Sequence, residues 1–272
     1  MHFTTGGDMF RFYLAVAVTA FRRQLIYRWA NLAGLLTNIF FGAIFSYLII
    51  ALYHARPVVA GYDVLDTVRY TWLVQAMIMV MLPFGWYDLM QTIPTGEVII
   101  DLSKPCDFYL YWFSREIGRA CYYLLFRGIP TYTAGTILFN LGFPGNTQTW
   151  LAFALTMPLG AMLGIAYRYL YNIVAFWLIE ARAVATLAGT IALFFTGSFV
   201  PLPFFPPWLR NLALWLPFSG LMNVPAETLL GKIIGGSLWL EVARQVAWLI
   251  LLTCLVRWIT AHATKRVIVQ GG

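Results

Sequence analysis

Residues 30–52 form a predominantly apolar run without one charged side chain. A helix of about 20 such residues matches the hydrocarbon thickness of a bilayer. Apolar runs recur, some with isolated charges, at 70–87, 120–141, 150–179, from 184 onward and at 239–260. Long apolar runs at this density exclude a soluble domain. The chain is 61% hydrophobic and 11% charged, where soluble domains carry roughly 25% charged residues. The expected fold is an all-α membrane protein, a single transmembrane domain over 1–272 with six transmembrane helices.

What lies between the runs sets the topology. Residues 8–28 place Arg11, Arg22, Arg23 and Arg28 around an apolar middle too short to span. Val18-Thr19-Ala20 resembles a signal-peptide cleavage site, but Asp8 and the full-length span that follows favour an amphipathic helix lying in the interface. Cytoplasmic segments would hold ten Lys or Arg against four outside, so both termini are expected in the cytoplasm. The net charge of +7 is read the same way, as topology and contact with anionic lipid, and not as a nucleic-acid signal.

Two segments break the apolar pattern. Residues 88–119 are charged and turn-rich, with Gly96, Glu97, Asp101, Lys104, Pro105 and Asp107 in a stretch that cannot cross lipid. On the other side, residues 196–232 carry Pro201, Pro203, Pro206, Pro207, Pro217 and Pro225 in an otherwise apolar stretch. A continuous helix cannot hold that many prolines. Irregular backbone at membrane depth must be buried in protein or line a wet cavity. Short broken helices that re-enter the outer leaflet before the last span are therefore expected, with Phe199, Phe204 and Phe205 on them.

Catalytic and energy-coupling motifs are missing. Gly231-Lys232 has Ala226 where a phosphate-binding loop needs Gly, and Ile233 where it needs Ser or Thr. His2, His54 and His262 are scattered, and Cys106, Cys121 and Cys254 lack metal-ligand spacing. No metal site or cofactor is expected in the chain. The acidic group Asp88, Glu97, Asp101 and Asp107 reads as a solvated face.

Arg127 and Arg168 fall inside predicted spans. A charge at the bilayer centre costs roughly 2.5–3.5 kcal/mol on insertion scales and normally faces protein or water. Arg127 lies near enough to the inner end of its span to snorkel. Arg168 lies midway along the fourth, so it either lines a cavity for an anionic or zwitterionic substrate or pairs with a carboxylate such as Glu180 or Asp88. Both are candidates for a translocation path. Glu241 and Arg244 read as an i,i+3 ion pair on the last span.

In this order the parts resemble the membrane subunits of type 2 ABC exporters, the permeases of efflux systems, and in particular bacterial efflux permeases of undefined substrate. Thr95-Gly96-Glu97 with Asp101-Leu102-Ser103-Lys104-Pro105 is similar to the G-x-x-x-x-x-L-x-x-P segment such permeases present to an ATPase. Gly197, Pro201-Leu202, Phe205-Pro206, Leu216-Pro217-Phe218 and Pro225 are similar to the family's external proline pattern. The resemblance implies a permease in the plasma (inner) membrane, working as a dimer with a second copy or a related permease. It also implies a cytoplasmic ABC ATPase dimer that holds ATP and Mg. Gly96, Glu97, Asp101, Lys104, Pro105 and Asp107 would couple to that ATPase, and Phe199, Pro201, Phe204, Phe205 and Pro217 would form an external gate. The rival readings are an ion-coupled secondary transporter, for which no carboxylate is found mid-span, and a polytopic lipid-modifying enzyme, for which the catalytic spacings are absent.

Overall fold

The computed structural model describes residues 6–82, 86–142, 146–178 and 180–266. Among them the chain is almost entirely helical. An N-terminal helix, α1 (Gly6–Ile26), leads across a one-residue break at Tyr27 into α2 (Arg28–Tyr53). Next comes α3 (Val64–Met81), whose first turn is capped by Asp63, its carboxylate accepting the Asp66 N–H at 2.7 Å. The span expected at 70–87 thus begins two turns early, because the cap sets the start. Pro83 lies outside the described residues.

Two short helices follow, α4 (Asp88–Thr92) and α5 (Val98–Leu102). Asp107 then caps α6 (Phe108–Tyr123) through the Leu110 N–H at 2.8 Å. From there the helix is continuous through a π-helical turn at Leu124–Gly128 into α7 (Ile129–Phe139). The span expected at 120–141 is the second half of this long helix. Pro130 accounts for the widened turn: it has no N–H for the carbonyl four residues back. The ladder slips by one residue, so that the Ile129 N–H bonds the Leu124 carbonyl. Asn140, at φ +49°, ends α7 in the left-handed conformation.

The remaining long helices are α8 (Thr147–Ile173), which tolerates Pro158 in its interior and runs on as a 3-10 turn to Phe176, and α9 (Ala181–Phe195). The proline-rich segment then folds as short pieces. A 3-10 turn, Leu202–Phe204, precedes α10 (Pro207–Trp215), and a second, Pro217–Gly220, precedes α11 (Asn223–Leu229). Prolines 203, 207 and 217 sit in the first turn of three of these pieces, where a missing N–H costs nothing. The chain closes on α12 (Gly236–Ala263). Among the described residues three helices are long and apolar enough to cross a membrane, Arg28–Tyr53, Thr147–Phe176 and Gly236–Ala263.

The packing is that of a protein whose solvent is lipid. α2 exposes Leu36, Phe40, Tyr47, Leu48 and Leu52 and buries Asn38, Gly42 and Ser46. A water-soluble helix would do the reverse. Small and weakly polar residues at the contact let backbones approach, since lipid offers apolar side chains no reason to hide. The partner is α3, the most deeply buried of the long helices, with Tyr70, Trp72, Met77 and Met81 at the core. Trp72 packs against Gly42 and Gly135 and donates its indole N–H to Ser46 Oγ at 2.9 Å. A second cluster around Trp86, Trp112, Tyr109 and Tyr169 joins α6 and α8 near the short helices.

Candidate functional site

The segment before α6 is a compact hook. Gly96 sits at φ +77°, a conformation that favours glycine, and turns the chain from α4 into α5. Glu97 and Ile100 are exposed at its tip, Ile100 at 65%, while Val98 is buried and anchors it. Lys104 folds back on the hook. Its ammonium reaches Asp101 Oδ1 at 2.5 Å and the Tyr111 hydroxyl at 2.8 Å, and lies 3.9 Å from the Tyr111 ring centre. Partial burial alone would lower the Lys104 pKa, but these bonds outweigh it and hold the ammonium above its ordinary value. Pro105 is exposed in the turn that ends the hook. Asp107 caps α6, receives the Tyr13 hydroxyl of α1 as acceptor for its own N–H at 3.1 Å, and lies 3.6 Å from Arg257 of α12. The six residues singled out by the sequence therefore form one continuous structure tied to α1, α6 and α12.

Behind the hook runs a chain of alternating charges that the sequence did not suggest. Asp88 of α4 binds Arg119 at 2.5 Å and lies 4.0 Å from Arg115. Arg119 lies 3.5 Å from Glu116, and Glu116 reaches Arg168 at 3.2 Å. Arg168 then donates to the Met81 carbonyl at the end of α3. Asn172, one turn further along α8, accepts the Met90 N–H at 3.2 Å and so holds α4 in place. The carboxylate that neutralises Arg168 is thus Glu116, and neither Glu180 nor Asp88. The helical spacing of Trp112, Glu116, Arg119, Tyr123 and Arg127 on one face was visible in the sequence. The span expected from residue 120 leaves Trp112, Glu116 and Arg119 outside it, whereas α6 starts at Phe108.

Arg127 ends elsewhere. The π-helical turn aims it at α2, where it donates to the Gly34 carbonyl at 2.8 Å and to Asn38 Oδ1 at 3.1 Å. Asn38 in turn donates to the Gln75 carbonyl of α3 at 3.1 Å. The guanidinium lines a cavity of about 440 Å³ walled by Thr37, Phe41, Phe45, Ile78, Leu193 and Phe199. This falls in the ordinary range for small-molecule sites. Arg168 is not among its walls. Of the residues expected in an external gate, Phe199 is 60% exposed at this cavity. Phe204 packs edge-on to Tyr62 at 5.5 Å, Phe205 lies against Phe194 at 5.3 Å, and Pro201 and Pro217 are buried.

The proline-rich segment is tied back to α3 by polar side chains. Tyr70 donates to the Gly197 carbonyl at 2.9 Å and to Asn223 Oδ1 at 3.0 Å, and Tyr62 donates to Glu227 Oε1 at 2.7 Å. Glu227 and Asn223 carried no sequence signal. Nothing distinguished them from other polar residues of a loop until α11 was seen to be buried. Glu241 and Arg244 do pair, at 2.6 Å.

The chain belongs to the ABC-2 family of transporter proteins, whose family model matches residues 38–270. Among curated proteins none matches it. Family membership makes it a multi-pass permease, the component of an ABC transporter that lacks its own ATPase site and associates with an ABC ATPase.

Proposed function

We propose that this permease serves an ATP-driven exporter of the inner membrane. In it two permease subunits, identical or related, enclose a path for a hydrophobic or amphipathic cargo. The chain crosses the bilayer six times, by α2, α3, the α6–α7 helix, α8, α9 and α12, with both termini in the cytoplasm. At 15 residues, α9 extends about 22 Å at 1.5 Å per residue, short of the roughly 30 Å hydrocarbon core. The broken helices after it re-enter the outer leaflet and complete that crossing. α1 lies in the inner interface along α6.

The hook carries this reading. Its exposed tip pairs an acidic side chain, Glu97, with an apolar one, Ile100, and its base is joined through Asp88, Arg119, Glu116 and Arg168 to the buried ends of α3 and α8. A push on the tip from an ATPase that has bound ATP and Mg would be delivered to the bundle and not lost in a floppy loop. Gly96 and Pro105 set the turns; Glu97, Asp101, Lys104 and Asp107 supply polar contacts. Arg127 lines the path, Arg168 braces it, and Phe199 with the segment of Pro201, Phe204, Phe205 and Pro217 closes it outside.

Purification of the tagged chain in mild detergent from its native host, followed by mass spectrometry, tests the assembly. Recovery of an ATPase with a phosphate-binding loop is expected, alone or with a second permease. In the reconstituted complex, Glu97→Lys/Asp101→Lys should leave ATP hydrolysis running while transport falls away. Unchanged transport by a well-assembled double variant refutes the role given to the hook.

A further inference from the structure

Arg127 is a buried cation with no acidic partner. It is 8% exposed, and among the described residues no carboxylate comes within ion-pairing distance. Its bonds go to a backbone carbonyl and an amide oxygen, both neutral, and its Nε–H has no acceptor at all. The nearby ring of Tyr123, 5.7 Å from the guanidinium carbon, adds a weak neutral contact. Leaving a desolvated charge so poorly matched is costly. The fold nonetheless builds the position with care. It widens a helix to aim the side chain, and keeps α2 at Gly34, where a Cβ would stand 2.6 Å from the guanidinium.

The missing partner belongs in the cavity. The cavity wall beyond Arg127 is mostly apolar and aromatic, with Phe41, Phe45, Ile78, Leu193 and Phe199 around it together with the uncharged polar Thr37, Gln75 and Ser198. A wholly apolar ligand would leave the cation unmatched, and a cationic one would repel it. A small hydrophilic anion would waste the hydrocarbon wall. We infer that the cavity takes an amphipathic anion, whose phosphate or carboxylate is held by Arg127 and whose hydrocarbon lies along Phe41, Phe45 and Ile78. The inference rests on the permease reading and names the chemical class that its path accepts.

The test uses the full chain, with whatever partners purify with it, in nanodiscs of phosphatidylcholine, and empty nanodiscs as the partition control. The probe is radiolabelled dodecyl phosphate, competed by unlabelled dodecyl phosphate, dodecanol or dodecyltrimethylammonium. Only the anion should displace it well. Arg127→Gln should bind at least about tenfold more weakly, as expected for losing a charge-assisted hydrogen bond, and Arg127→Lys should recover most of the loss. Should Arg127→Gln fail to fold, Thr37→Trp narrows the cavity from its exposed rim with Arg127 intact and should weaken binding as well. Equal competition by all three amphiphiles, or wild-type binding by a folded Arg127→Gln chain, overturns the inference. Adding phosphatidylglycerol to the bilayer identifies the source. Displacement of the probe assigns the anion to a membrane lipid, and persistence assigns it to a separate cargo. Recovery of the ATPase in the same preparation is scored independently, so loss of anion selectivity and loss of the permease reading are separate results.

Discussion

Arg168 and Arg127 occupy the same kind of sequence position, a lone cation in an apolar run, yet their surroundings divide the molecule into a braced half and an open half. Arg168 meets a full countercharge in Glu116, a carbonyl at the end of α3 and, beyond Glu116, a further cation and carboxylate. Arg127 meets two neutral oxygens and a cavity. The first arrangement is electrically closed, although the Nε–H of Arg168, like that of Arg127, has no acceptor. The second is incomplete. A charge within an apolar helix therefore marks a site only when the fold withholds its partner, and this depends on which helix packs opposite.

The largest effect should come from opening the braced half. Arg168→Met leaves Glu116, 3% exposed, with Arg119 at 3.5 Å as its remaining cation, and loss of one partner from a buried pair typically costs about 3–5 kcal/mol. Thermal unfolding of the purified chain in neutral detergent should show a large fall in Tm. Arg168→Met/Glu116→Met removes both charges, and Arg119 keeps Asp88 as partner. The double variant should regain a good part of the loss. If the double variant is as damaged as the sum of the singles, the pair is not the electrically closed unit described.

This pairing also marks where the sequence stopped being legible. Apolar runs announced the long helices, three of them long and apolar enough to cross a bilayer, and prolines announced the broken segment because they remove N–H groups. Helix starts were less legible. Asp63 and Asp107 each cap a helix well before the expected span begins, so the charged residues Arg115, Glu116 and Arg119 of α6 fall in the segment that the sequence sets outside the spans. The hook's residues were readable from turn chemistry at Gly96 and Pro105. The Glu116–Arg168 contact was not, since it joins helices distant in sequence and no local pattern encodes which faces meet. For the same reason Asn38, which receives Arg127, went unnoticed among the polar residues of α2.

A glycine substitution on the braced side should have the next largest effect. α1 lies against α6 at Gly118, where an added Cβ would overlap the carbonyl oxygen of Ala17. A backbone atom cannot swing aside, so Gly118→Ala must push α1 away from α6. Overpacking of this kind costs typically 1–3 kcal/mol. The Tm should fall, and protease cleavage within residues 6–26 should quicken. Unchanged cleavage would mean that α1 is not held by this contact.

Gly34→Ala is the matching substitution on the open side, and it should do far less to stability. There the added Cβ would also approach too closely, 2.6 Å from Arg127, but the atoms it meets are the far end of a flexible side chain. The guanidinium can retreat into the cavity of about 440 Å³ beside it, giving up the Gly34 carbonyl, and alanine gains roughly 0.5–1 kcal/mol over glycine inside a helix. The two terms nearly cancel, so Tm should move by no more than about 1 kcal/mol equivalent. Anion selectivity should still change, because the displaced guanidinium now occupies space the ligand needs. A Gly34→Ala chain destabilised as much as Gly118→Ala would show that the guanidinium is as tightly held as the α1 backbone, and the distinction between a braced half and an open half would fail at its smallest and most direct test.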